Sequence, residues 1–382
     1  MKKPDDLSLT LYLPFVGTLR LLEMLIAAAA FMMPVPAYAY DVDTGHVSLT
    51  SFSLELYNKC FPASTAFRDP DAQKRLIQGN RGMDTGKGDM LRHLNLSARE
   101  RAQLNGTSVF NLTKRIGNWH FYNPDRTDLS RVGLVEQSQK RLWQDLKDGI
   151  SSNGEKNALL FLGGLMHLVE DVSVPAHAIP VYHGPTEIAA LGPEHFKPLV
   201  TYMRKAGKAP RGMIKDPIDW ISPDSKWLAE NLTPAAELCS AVGSGAETPD
   251  VIRDGLAHAI YALLQVQIPG CNGVKWGDFW ILPAGQEYFG LYAIGNAQPM
   301  FGDQGVVRSQ NGSICEMRDH DKRYDDVVRE LHRAAIKADM KMLRWGEGRI
   351  VSGASGINDE SGVIKPVKSI RSGTAHLSRR HQ

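Results

Sequence analysis

The sequence predicts an all-α, multi-helix fold, and three observations carry that prediction. Apolar residues recur at helical spacing in three stretches: Val135, Leu142, Leu146 and Ile150, with Ser138 on the same face; Val251 to Leu264; and Val328, Leu331, Ala335, Ala338 and Met342. The segment from Ala158 to Val169 is apolar almost all round, so a helix there belongs at the centre of the molecule rather than on its surface. Thr248-Pro249-Asp250 has the order of an N-cap, a first-turn proline and an early acid, which places a helix start just before Val251.

Taken in chain order, the first 39 residues read as an export signal. Lys2 and Lys3 supply positive charge, Leu21 to Met33 supplies an apolar stretch, and Ala37-Tyr38-Ala39 supplies the small-x-small pattern before a cut. That stretch is too short to span a bilayer comfortably, so the protein is expected to be secreted or periplasmic and to begin at Tyr40. Pro175 is expected to stop the central helix and Pro269 the helix that begins near Val251. Between Gly270 and Gly312 the chain is rich in glycine and aromatic residues without a helical period, which reads as loops or short strands wrapped on the helical body. Residues 40–349 form the expected helical domain. From about Gly346 the composition turns to Gly, Ser, Lys and Arg, and residues 350–382 read as a disordered basic tail.

Composition narrows the function. With 43% hydrophobic and 23% charged residues among 382, the chain is an ordinary globular one. Forty-four Lys and Arg against 42 Asp and Glu leave a formal charge of +2, so strong nucleic-acid binding is not expected and any phosphate specificity must come from a local site. Four cysteines (Cys60, Cys239, Cys271 and Cys315) remain after the cut. In an oxidising compartment they can form disulfides, and their spacing leaves all three pairings open.

The strongest chemical signal is His167-x3-Asp171-x5-His177. On a helix, residues four apart share a face, so His167 and Asp171 can grip one metal while the proline turn returns His177 toward them. An ionised Asp and two imidazoles beside an apolar helix carry a desolvation cost that metal or mutual pairing must offset. An Asp and a His satisfying each other in the core is the plainer alternative. Further candidates are His120, flanked by Trp119, Phe121 and Tyr122; Asp84, in an apparent glycine-rich loop from Gly79 to Gly86; His183, six residues after His177; and His46, close to the expected mature terminus. His258 lies within a helical pattern, and His93, His320 and His332 sit among charges, so all four read as surface residues.

Together, from about His46 to His195, these residues resemble the zinc-dependent phospholipase C family, which shares an all-helical fold and a three-zinc site with fungal single-strand nucleases. The resemblance implies that Asp84, His120, His167 and Asp171 surround one zinc. A second zinc would take His177, His183 and either Glu187 or Glu194, with His195 in reserve. The third would take His46 and the free terminal amine, with Asp171 bridging. In the family the mature chain usually begins with Trp, where this one has Tyr40. The residue equivalent to Asp84 also orients or deprotonates the attacking water, which makes Asp84 the candidate catalytic residue.

The expected function is therefore that of a monomeric phospholipase C cleaving phosphatidylcholine-like lipids with a metal-activated water. A phospholipid substrate implies transient contact with a membrane surface, and the sequence leaves open whether the aromatic segment from Trp276 to Tyr292 makes it. The alternatives are a zinc-dependent single-strand nuclease and a binding module in which zinc only holds the fold. No Gly-x-Ser-x-Gly nucleophile motif or Gly-Lys-[Ser/Thr] phosphate loop is present.

Overall fold

The structure, a computed structural model, describes residues 42–85, 122, 124, 131–132, 135–136, 139–152, 155–179, 184–185, 213–214, 216–218, 221–231, 236–243, 247–281, 291–292 and 299–355. Among these, 69% are helical, and the strands occur only as four two-stranded antiparallel pairs. The expected export signal lies outside the described residues. No helix among them is long and apolar enough to cross a membrane.

A π-helical turn, Val42–His46, feeds α1 (Val47–Cys60), which is followed by α2 (Pro70–Thr85). Then come α3 (Gln139–Ser152), α4 (Glu155–Val172) and the single turn α5 (Pro175–Ala178). After α6 (Ser225–Asn231), α7 (Ala236–Gly243) and α8 (Pro249–Leu264), the long α9 (Lys322–Ser355) closes the fold. The first periodic stretch forms helix only from Gln139, because Val135 pairs with Val132 in a short strand.

As its composition demands, α4 is the centre. Every residue from Ala158 to Val172 is buried, and α2, α3 and α9 pack around it. Its crossing with α2 is close enough to need glycine on both sides. A Cβ at Gly163 would stand 1.9 Å from the Leu76 carbonyl oxygen, and one at Gly79 would stand 2.0 Å from that of Leu160. This corrects the expected loop around Asp84: Gly79 serves helix contact, and Asp84 stands next to the end of α2. On the opposite side Gly346 presses on the Leu162 side chain, 2.6 Å from where its Cβ would lie, and α9 continues through it to Ser355. Residues 356–382 of the expected tail lie outside the described residues.

The expected start of α8 holds, with the Thr248 side chain accepting from the Val251 amide as its cap, but the helix ends at Leu264, five residues before Pro269, so Pro269 is not what stops it. The segment after it forms short strands, including a hairpin of Gly305–Arg308 with Ile314–Met317. Trp276, Phe279 and Trp280 are buried against Phe301 and Tyr324, so these three rings form core and not an exposed apolar face. Two disulfides choose one of the open pairings, Cys60–Cys239 between α1 and α7 and Cys271–Cys315 between the segment after α8 and the hairpin.

His332 is a correction. Its charged neighbours suggest surface, yet on α9 it falls on the inward stripe with Ala335 and Ile336 and is 1% exposed. Burial lowers its pKa from 6.5 to about 4. An unfolded chain therefore protonates this histidine near pH 6.5 while the folded one stays neutral down to about pH 4. The stability it carries is complete above pH 6.5 and is lost as pH falls toward 4, by up to roughly 3 kcal/mol. Urea unfolding at about pH 7 and about pH 4.5 should show wild type losing more stability than His332→Leu by that order. Equal losses in the two proteins would contradict the assignment.

Candidate metal centre

The chemistry of the site begins with three positions on α4. His167, Glu170 and Asp171, at spacings of three and four residues, lie on one face of a helix that is buried throughout this stretch. The helix then breaks: the Ser173 and Val174 amides bond back to the Glu170 and Asp171 carbonyls, Val174 is extended, and Pro175 starts α5 with buried His177. That turn is clamped from outside. The Tyr122 amide donates to the His177 carbonyl at 3.0 Å, and the Tyr261 hydroxyl of α8 donates to the Ala178 carbonyl at 2.6 Å. Tyr122 is itself held by Asp254 and by the Arg253 guanidinium, 3.7 Å over its ring.

Facing α4, His46 ends the π-helical turn, and its ring stacks on that of His167 with centroids 3.9 Å apart. Its Nδ1 lies 2.5 Å from Glu170 Oε2 and its Nε2 3.4 Å from Asp171 Oδ1. His167 Nε2 lies 3.5 Å from Asp171 Oδ2. Thr50 and Ser53, four and seven residues after His46, continue the same polar stripe on α1. Thr50 donates to Glu170 at 2.6 Å and Ser53 to Asp339 of α9 at 3.0 Å. Asn80 of α2 donates to both Glu170 and Thr50 at 2.9 Å. All of these groups are buried completely.

Electrostatics follow from that burial. Desolvation alone would depress the His46 pKa, but Asp171 and Glu170 override it and raise the value to about 10. The Asp339 carboxyl is held well above the ordinary carboxylate range, first by burial and then by the charge of Glu170. Both shifts favour the protonated forms of His46 and Asp339.

These residues fit a metal in both chemistry and geometry. Imidazole and carboxylate are zinc donors, and two donors on one tetrahedral zinc stand about 3.3–3.4 Å apart. The spacings of 3.4 and 3.5 Å from the two Asp171 oxygens to the two imidazoles match that separation and exceed a usual N–H···O bond. Ligand atoms of His46, His167 and Glu170 also lie within 4.8 Å of one another.

Of the residues singled out in the sequence, the structure brings His46, His167 and Asp171 together and buries His177 one turn further on. Asp84 is placed by its backbone only, near the end of α2. His120, His183, Glu187, Glu194 and His195 lie outside the described residues. Sequence reasoning missed Glu170, Asn80, Thr50, Ser53 and Asp339. The His46, Thr50 and Ser53 stripe was a usable signal, as was a second acid beside Asp171 in a helix otherwise apolar. Compared with known proteins, the chain finds no matching family model, no matching curated protein and no matching solved structure.

Asp171→Asn and His167→Ala should each weaken zinc binding by roughly 10–100-fold or more while the helical circular-dichroism signal persists. Metal analysis after equilibrium dialysis reads this. Zinc content equal to wild type in both variants would remove these residues from the ligand set.

Proposed function

We propose that the protein is a zinc-dependent phosphodiester hydrolase, most specifically a secreted phospholipase C acting on phosphatidylcholine-like lipids. One observation carries the reading: a wholly buried Asp171 carboxylate stands between the Nε2 atoms of two stacked histidines from separate elements, at donor spacings that suit metal. The helical architecture and the His-x3-Asp-x5-His sequence, read as a resemblance to zinc-dependent phospholipases C, supply the substrate class. Two disulfides are in keeping with an oxidising compartment and so with the export signal.

Bound zinc would acidify a coordinated water and draw charge from the phosphate oxygens. The chain supplies the rest. Asp171 offers one oxygen toward each imidazole and so can join two ions. His46 and His167 would hold them through Nε2, and the clamped turn at Pro175 keeps His177 buried one turn beyond Asp171. On this reading Asp84, at the end of α2, is the residue that orients the water.

The complete burial of His46, His167 and Asp171 favours a second reading, in which zinc only holds the fold. Zinc-loaded protein offered phosphatidylcholine vesicles and single-stranded DNA separates the cases. The proposal expects release of phosphocholine, lost on chelation and restored by zinc. DNA cleavage without lipid turnover would mark a single-strand nuclease, and tightly bound zinc with neither activity would leave the structural role.

A further inference from the structure

Glu170 lies near enough to His46 and His167 to share a cation with them, yet both its oxygens are already committed. Oε2 accepts from His46 Nδ1 at 2.5 Å and from Asn80 at 2.9 Å, and Oε1 accepts from Thr50 at 2.6 Å. Thr50 accepts in turn from Asn80, which closes the set. Among the described residues no lysine or arginine reaches Glu170, so His46 from the π turn, Thr50 from α1 and Asn80 from α2, with the Asp339 carboxyl of α9 bonded to it as well, hold its charge in place. A carboxylate whose two oxygens are both taken up in this way has little left to offer a metal. What it does is choose a face of His46. An imidazole whose Nδ1–H is bonded to a carboxylate presents Nε2 as its free donor, and a carboxylate there also raises the basicity of that nitrogen. Nε2 is the atom that faces Asp171 at 3.4 Å.

We propose that Glu170 is the positioning residue of the metal centre and not one of its ligands: with Thr50 and Asn80 it fixes the tautomer and ring orientation of His46, so that His46 binds through Nε2. This rests on the metal site proposed above. It also gives each member of the i, i+3, i+4 set on α4 a different task, with His167 and Asp171 toward the ion and Glu170 toward the imidazole behind it. The juxtaposition requires the close α2–α4 crossing, because Asn80 directly follows Gly79.

The test loads isotope-labelled protein with NMR-active cadmium and reads scalar coupling to the His46 nitrogens, assigned with His46→Gln. The expected result is metal coupling at Nε2 with a retained, slowly exchanging proton on Nδ1. Glu170→Gln, which keeps an oxygen for Nδ1–H, should bind as many ions as wild type with affinity lowered roughly 10–100-fold. Coupling at Nδ1, or the loss of a bound ion in Glu170→Gln, would overturn the assignment. Wild-type protein that takes up no cadmium would overturn the metal site itself and this assignment with it.

Discussion

Glu170 and Asp171 are neighbouring carboxylates on a helix closed off from solvent, and the rest of the core is arranged around that fact. An unmatched ion in such a place carries a penalty of several kcal/mol. The fold answers with His46 from the turn before α1, Thr50 and Ser53 from α1, Asn80 from α2 and Asp339 from α9. Helices α1, α2 and α9 thus all bring polar side chains to the same point. The close crossing at Gly79 and Gly163 is what lets Asn80 reach. A buried centre of this kind specifies how the helices pair, because sliding any of them leaves a carboxylate unsatisfied.

Electrostatics and packing therefore state the same requirement. The shifts at His46 and Asp339 both favour the protonated form and so temper the charge of the centre. Ion binding would exchange the His46 Nε2 proton for a cation while leaving the Glu170 bond intact. Outside the centre, the bonds from Tyr122 and Tyr261 to the His177 and Ala178 carbonyls and the stack of Arg253 between Tyr122 and Trp143 tie α8 and α3 to the turn that carries His177. The disulfides fasten the periphery, α7 to α1 and the hairpin to the segment after α8, at sequence separations of 179 and 44. Cross-links over such spans constrain the unfolded chain by a few kcal/mol each.

Much of this was legible in the sequence. The apolar run from Ala158 to Val169 located the central helix because only an interior helix can lack a polar face, and the His167/Asp171 spacing gave their shared face. Glycine misled twice. Near Asp84 and from Gly346 it was read as loop and tail, whereas Gly79 and Gly346 permit close contact with α4. His332 misled in the opposite sense, because local charge says nothing of which helix stripe turns inward. Glu170 and Asp339 were invisible as partners, since one contact spans helices far apart in sequence and periodicity carries no information on tertiary pairing.

The central claim is that Asp171, His46 and His167 hold zinc together. Anomalous diffraction at the zinc edge from crystals of the zinc-loaded protein tests it most directly. The account predicts zinc within about 2.0–2.2 Å of an Asp171 oxygen and of Nε2 of His46 or His167, with Glu170 still on His46 Nδ1. Zinc peaks confined to surface residues, with His46, Glu170 and Asp171 closed on one another as in the metal-free protein, would contradict it.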